Sequence, residues 1–229
     1  MISAEFHFLN SIFIIGSFYD RCMFKTVFNV LFPHSPAHSL FGLHVTQEEI
    51  RSIHTYAHKD IGIDGLPYEI ISAVAYRHAP LLQRAMFTIK YRRDPYLIGD
   101  MASLLFDVIK EELRPGMVLC PVPLHWKRFL DRGFNQSVYI AEHLSEKTKL
   151  PMSHLLRRKR DTGHQAWRSR EERLHAMHDA FILKKIQNVP RHVVLIDDIT
   201  TTGSTLHECA KVLNNAGIER IDAWVIAHG

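Results

Sequence analysis

The chain has 229 residues, 46% of them hydrophobic and 23% charged, and a net charge of +4. That suits one globular domain with an addition, built round an ordinary core. The charge alone does not indicate nucleic acid, and the three cysteines (Cys22, Cys120 and Cys209) are scattered with no Cys-x-x-Cys pair, which argues against a disulfide framework or a cysteine zinc site and fits a reducing cytoplasm.

Residues 6–18 are apolar-rich but broken by His7 and Asn10, with no positively charged start before them. The run is short of the ~20 residues a spanning helix needs, so a cytoplasmic protein without membrane insertion is expected. Among the 16 histidines, His34/His38 and His54/His58 have i, i+4 spacing. That spacing can hold a metal on a helix, but no companion ligand accompanies either pair, and both read as surface histidines. Thr46-Gln47-Glu48-Glu49 is a capping box, predicting a helix from Gln47 towards His58. Gly62, Gly65 and Pro67 mark a loop. Residues 1–75 are thus expected to form a partly helical N-terminal appendage, and 76–229 the main domain.

Residues 76–91 begin extended and turn helical. Asp94-Pro95 predicts a helix start, and Leu97, Met101, Leu104, Leu105, Val108 and Ile109 keep helical spacing until Arg114-Pro115-Gly116. Met117-Val118-Leu119-Cys120 reads as a buried strand, stopped by Pro121-Val122-Pro123. A helix follows with Phe134, Val138, Ala141 and Leu144 on one side. Residues 157–176 hold many arginines and little apolar content, predicting an exposed loop. Phe181-Ile182-Leu183 is a short strand, and residues 221–227 are the last one. From Met117 onward strands and helices alternate, which predicts an α/β fold with a mostly parallel sheet flanked by helices.

The chemistry centres on residues 193–205. Val193, Val194, Leu195 and Ile196 form a buried strand, Asp197 and Asp198 close it, and Thr200-Thr201-Thr202-Gly203-Ser204-Thr205 leads into a helix from Leu206. In an open α/β sheet, ligands sit beyond the carboxyl ends of the strands. Free N–H groups at a helix start favour an anion, glycine allows close approach, and the hydroxyls add donors, which suits a phosphate. The acids suit a ligand that also carries hydroxyl groups, such as a ribose 5-phosphate unit, or Mg²⁺. No Gly-Lys-Ser/Thr loop is present, so triphosphate hydrolysis has no support.

This stretch resembles the 5-phosphoribosyl-1-pyrophosphate (PRPP) signature of type I phosphoribosyltransferases. Residues 76–91 with Lys90-Tyr91, Pro121-Val122-Pro123-Leu124, Arg132-Gly133-Phe134-Asn135-Gln136, Gln165, Arg173 and Ala180-Phe181 make the chain similar to the ComF family, the competence-protein F and GntX-like group. The resemblance covers about residues 70–229. It implies a type I phosphoribosyltransferase fold in which Asp197 and Asp198 contact the ribose hydroxyls and Mg²⁺ and support charge on the ribose during catalysis. It also implies that Thr201, Thr202, Gly203, Ser204 and Thr205 bind the 5-phosphate. Arg158, Arg160 and Arg173 would lie in a loop that closes over pyrophosphate. The implied activity is phosphoribosyl transfer to an unidentified acceptor. The alternative is a non-catalytic PRPP-binding or DNA-uptake module, with single-stranded DNA or competence-machinery proteins as partners. The chain departs from the family in three places. No zinc is expected, because only Cys22 stands where members commonly carry a cysteine ribbon. Ala176 replaces an expected asparagine, and Asp179 a usual glycine.

Overall fold

The computed structural model describes residues 46–61, 66, 68–92, 97–126, 129–130, 133–159, 179–186 and 188–229. Helix α1 (Gln47–Arg51) starts on the capping box: the Glu49 N–H donates to Thr46 Oγ1 at 3.1 Å, and the Thr46 N–H to Glu49 Oε2 at 2.7 Å. It is shorter than the sequence suggests. Ser52 Oγ donates back to the Glu49 carbonyl at 2.8 Å, and the helix ends. The chain turns instead into strand β1 (His58–Ile61), so His54 and His58 do not share a helix.

Strand β2 (Glu69–Ala75) follows, then a 3-10 turn (Tyr76–His78) and helix α2 (Pro80–Arg92). Helix α3 (Ile98–Ile109) buries Met101, Leu104, Leu105 and Ile109, as its spacing predicts, while Asp94-Pro95 lies outside the described residues. Strand β3 (Met117–Pro121) leads to helix α4 (Gln136–Thr148). Strands β4 (Leu156–Arg158) and β5 (Phe181–Leu183) pair antiparallel as a separate two-stranded sheet. Strand β6 (His192–Thr200), helix α5 (Ser204–Asn215) and strand β7 (Arg220–His228) complete the described chain.

The main sheet has the order β1-β2-β7-β6-β3. β2, β7, β6 and β3 run parallel and β1 joins antiparallel at one edge. The mostly parallel α/β expectation is therefore met, and β1 and β2 bring residues from before position 76 into the sheet. Val193, Val194, Leu195 and Ile196 are all fully buried, because each face of β6 is covered. Val193 and Leu195, with Ala223 and Val225 of β7, pack against Leu206, Cys209, Ala210 and Leu213 of α5 and against Leu156 and Phe181 of the small sheet. The alternate residues Val194, Ile196, Trp224 and Ile226 point the other way and are equally buried. Helices α3 and α4 pack against each other, α3 also against β2 and β7 and α4 against β3 and β6. Among the described residues no helix is long and apolar enough to cross a membrane.

This topology gathers the carboxyl ends of β2, β3, β6 and β7 at one end of the sheet, where ligands bind in open α/β folds. The opposite end is tied through the buried Asp222 carboxylate, which lies 2.7 Å from His192 Nε2 and 3.2 Å from Arg220 Nε.

Candidate functional site

The acids lie inside β6 rather than after it. Asp197 is registered with Val225, and the ladder continues through Ile199↔Ala227 to Thr200↔His228. The Gly229 N–H adds a further bond to the Thr200 carbonyl at 3.0 Å. On the other side, β3 pairing stops at Pro121↔Ile196, and the Val122 N–H bonds the Ile196 carbonyl at 2.9 Å as its last contact. The prolines at 121 and 123 bring this about, since proline cannot donate to a ladder. Asp197 is the first residue beyond the β3 pairing, at the point where β6 loses one neighbour.

Both carboxylates are half-buried and oriented by the backbone. Asp197 Oδ1 accepts the Asp198 N–H at 2.9 Å, and Asp198 Oδ1 accepts the Ile199 N–H at 2.7 Å. Asp197 Oδ1 also accepts the Ser137 hydroxyl of α4 at 2.8 Å. Ser137 is held in turn by its helix cap. Asn135 Oδ1 accepts the Ser137 N–H at 3.1 Å, while Asn135 Nδ2 donates to the Val122 carbonyl at 2.9 Å. One asparagine thus fastens the start of α4 to the end of β3.

After Thr200, only Thr201, Thr202 and Gly203 separate strand from helix. Gly203 is the N-cap of α5 at φ 73, a conformation that favours glycine. Thr202 Oγ1 and Ser204 Oγ are 2.6 Å apart. Thr201 is exposed, while Gly203 and Ser204 are buried. The arrangement presents two carboxylates, a hydroxyl-lined turn and a helix N-terminus within nine consecutive residues. It can hold a ligand that combines an anion with hydroxyl groups.

Below the site, burial pushes the Cys120 thiol up to about 11. Burial likewise raises Cys209, helped by Cys120 and the Asp197 carboxylate nearby. Both thiols are neutral apolar filler between the sheet and α5. Two adjacent carboxylates on one strand end fit Mg²⁺, a hard cation that takes one or two protein carboxylates and completes its shell with water and substrate oxygens. Among the described residues no group of three or more His, Cys, Asp or Glu side chains is placed to hold a metal.

Residues 135–229 match the model of the phosphoribosyl transferase domain. Competence protein F of Haemophilus influenzae is 32% identical over 155 residues, 64% of this chain and 66% of that protein. DNA utilization protein YhgH of Escherichia coli (strain K12) is 30% identical over 167 residues, 70% of this chain and 72% of that protein. The chain belongs to the ComF family. A third relative, competence protein ComFC of Bacillus subtilis, is 30% identical over 62% of this chain and 57% of its own length. The domain match begins at Asn135, so it takes in the α4 cap, the acid pair, the turn and β7.

The structure places the remaining ComF-motif residues unequally. Asp197, Asp198, Thr201, Thr202, Gly203, Ser204 and Thr205 are brought together at one strand end. Arg158 sits on β4 with its guanidinium 5.4 Å from the centre of the Phe181 ring, which anchors the small sheet. Arg160, Arg173, Gln165, Ala176 and Arg132 lie outside the described residues, and Lys90 falls within α2. Asp179 has φ 54. A left-handed backbone at this position accounts for the family's glycine, and aspartate is among the few other residues that adopt it. Sequence reasoning missed the role of Ser137, because 60 residues separate it from Asp197. The one available signal was Asn135, a cap residue two positions before it.

Proposed function

We propose that this ComF protein binds Mg²⁺-PRPP at the end of β6 and transfers its phosphoribosyl group to a nitrogen acceptor. The observation that supports this best is the succession of Asp197 and Asp198, the left-handed Gly203 and the N-terminus of α5. The 5-phosphate is received by the Thr201–Thr205 hydroxyls and the first-turn N–H groups of α5. The ribose hydroxyls donate to Asp197 and Asp198. Asp197 and Asp198 would hold Mg²⁺, which would supply positive charge to offset that of the pyrophosphate. As the C1–O bond to pyrophosphate breaks, positive charge develops on the ribose ring and the two carboxylates support it. The acceptor nitrogen then bonds to C1 and gives up its proton to solvent, while the bonding pair of the broken C1–O bond leaves with pyrophosphate. In this reading Arg158, Arg160 and Arg173 contribute charge towards the departing pyrophosphate.

A second reading is a non-catalytic PRPP-binding or DNA-uptake module working with single-stranded DNA or competence-machinery proteins in the cytoplasm. The names of the relatives, competence protein F and DNA utilization protein, favour it. One experiment separates the two. The protein is incubated with PRPP, Mg²⁺ and pooled nitrogen acceptors while pyrophosphate is followed. Release abolished by Asp197→Asn/Asp198→Asn supports transfer. Saturable PRPP binding without release supports the module instead.

A further inference from the structure

Asp197 is held from two directions by different parts of the chain. The Asp198 N–H comes from its own strand at 2.9 Å, and the Ser137 hydroxyl comes from α4 at 2.8 Å. Ser137 is only 4% exposed, so its hydroxyl does not trade this bond freely for water. Its backbone is fixed by the Asn135 cap, whose amide is fixed by Val122, whose N–H is fixed by Ile196. The chain of bonds closes on itself: Ile196, Val122, Asn135, Ser137, Asp197 and back along β6. It bridges the gap that opens where β3 leaves the sheet.

We infer that Ser137 is a positioning residue of the site, which fixes the rotamer of Asp197 so that the carboxylate meets the ligand without reorganising. This deepens the PRPP reading above and rests on it. Asp197 lies just past the β3 pairing, where a carboxylate on a strand edge has rotameric freedom. A buried hydroxyl aimed at one of its oxygens removes that freedom before the ligand arrives, and preorganisation of this kind is what sets affinity. Hydrogen bonds to charged groups are the stronger ones, which sets the size of the effect. A purely structural serine would need only to satisfy the start of α4, and Asn135 does that already.

The test is calorimetric titration of the full chain with PRPP at several Mg²⁺ concentrations. Ser137→Ala and the near-isosteric Ser137→Cys, a weak donor, are each expected to weaken binding by about tenfold. They should also raise the Mg²⁺ needed for half-saturation and melt close to the wild type. Ser137→Thr, which keeps the hydroxyl, is expected to restore most of the affinity. Unchanged binding in both Ser137→Ala and Ser137→Cys, with the wild type binding, overturns the role of Ser137 and leaves the PRPP reading intact. The same holds for a loss that tracks melting temperature and is not restored by threonine. A wild type with no saturable PRPP binding overturns the PRPP reading itself, and this inference falls with it.

Discussion

The backbone N–H of Asp179, held at φ 54, donates to the buried carboxylate of Glu208 at 3.1 Å. Glu208 lies on α5, the helix whose first turn is the proposed phosphate side of the candidate site, and Asp179 leads into β5. Asp179→Gly should relieve the left-handed strain and raise stability by about 0.5–1 kcal/mol. Glu208→Leu removes the acceptor of a main-chain N–H and should cost about 1–3 kcal/mol, with Glu208→Gln costing less. Urea denaturation of the three variants checks the order.

Gly203 adopts φ 73 at the N-cap of α5. Gly203→Ala should lose roughly 1–2 kcal/mol of stability, because a Cβ is unfavourable in that conformation. On the PRPP reading proposed above, the same variant should bind PRPP more weakly than its stability loss explains, since a Cβ at this φ would shift the turn. Comparing melting temperature with calorimetric affinity at a temperature where the variant is fully folded separates the two effects.

His228 ends β7 with its ring stacked on His58 at 4.0 Å and Tyr56 against its edge, and with Nδ1 2.8 Å from Ser72 Oγ. Burial, and then the electrostatic influence of His58, hold His228 below its ordinary pKa, which Asp60 offsets only in part. The unfolded chain therefore takes up this proton at a higher pH than the folded one, near 6.5. Stability is full above about 6.5 and declines as pH falls, until His228 protonates in the folded state as well. Melting temperature measured between pH 7.5 and about 5 should show the decline. His228→Gln should make it shallower, and an unchanged slope in that variant would disprove the assignment.

Cys120 and Cys209 are both fully buried with raised pKa values, Cys120 about 11. In a Cys22→Ser background, neither should react with a disulfide reagent at pH 8 while the protein is folded, and both should react in guanidinium. Rapid labelling of the native protein would contradict the packing of β3 against α5.

Much of this fold is legible in the sequence because its central elements carry unmistakable patterns. Four consecutive apolar residues mark β6 as a strand buried on both faces, and Gly203 marks the turn before α5. The apolar spacing of α3 likewise survives intact. The elements that were not legible are those whose form is decided by neighbours distant in sequence. His58-Lys59-Asp60 has no strand pattern and becomes β1 only by pairing with β2 at an exposed edge. Arg157 and Arg158 read as the start of a basic loop, yet with Leu156 they form β4, because Phe181 offers both a strand partner and a ring for Arg158. Asp197 and Asp198 look like the end of a strand by polarity, while β7 carries the ladder past them to Thr200. The clustering of the candidate residues 197–205 at one strand end was readable locally, but the contact between Ser137 and Asp197 was not, because it forms only after α4 docks on β6.

The placement of the acid pair within β6 has a consequence for how this site is lost. Amides in a ladder flanked by fully buried residues exchange with solvent only when the whole domain opens. The carboxylates are mounted on that same segment, whereas the exposed Thr201 and the half-buried Thr202 lie in the short turn beyond it. Warming the protein should therefore dismantle the site in two stages. On the PRPP reading proposed above, phosphate recognition should fade first as the turn frays, and recognition of the sugar hydroxyls should persist until global unfolding. Ligands that differ only in their phosphate should then converge in affinity as the melting temperature is approached.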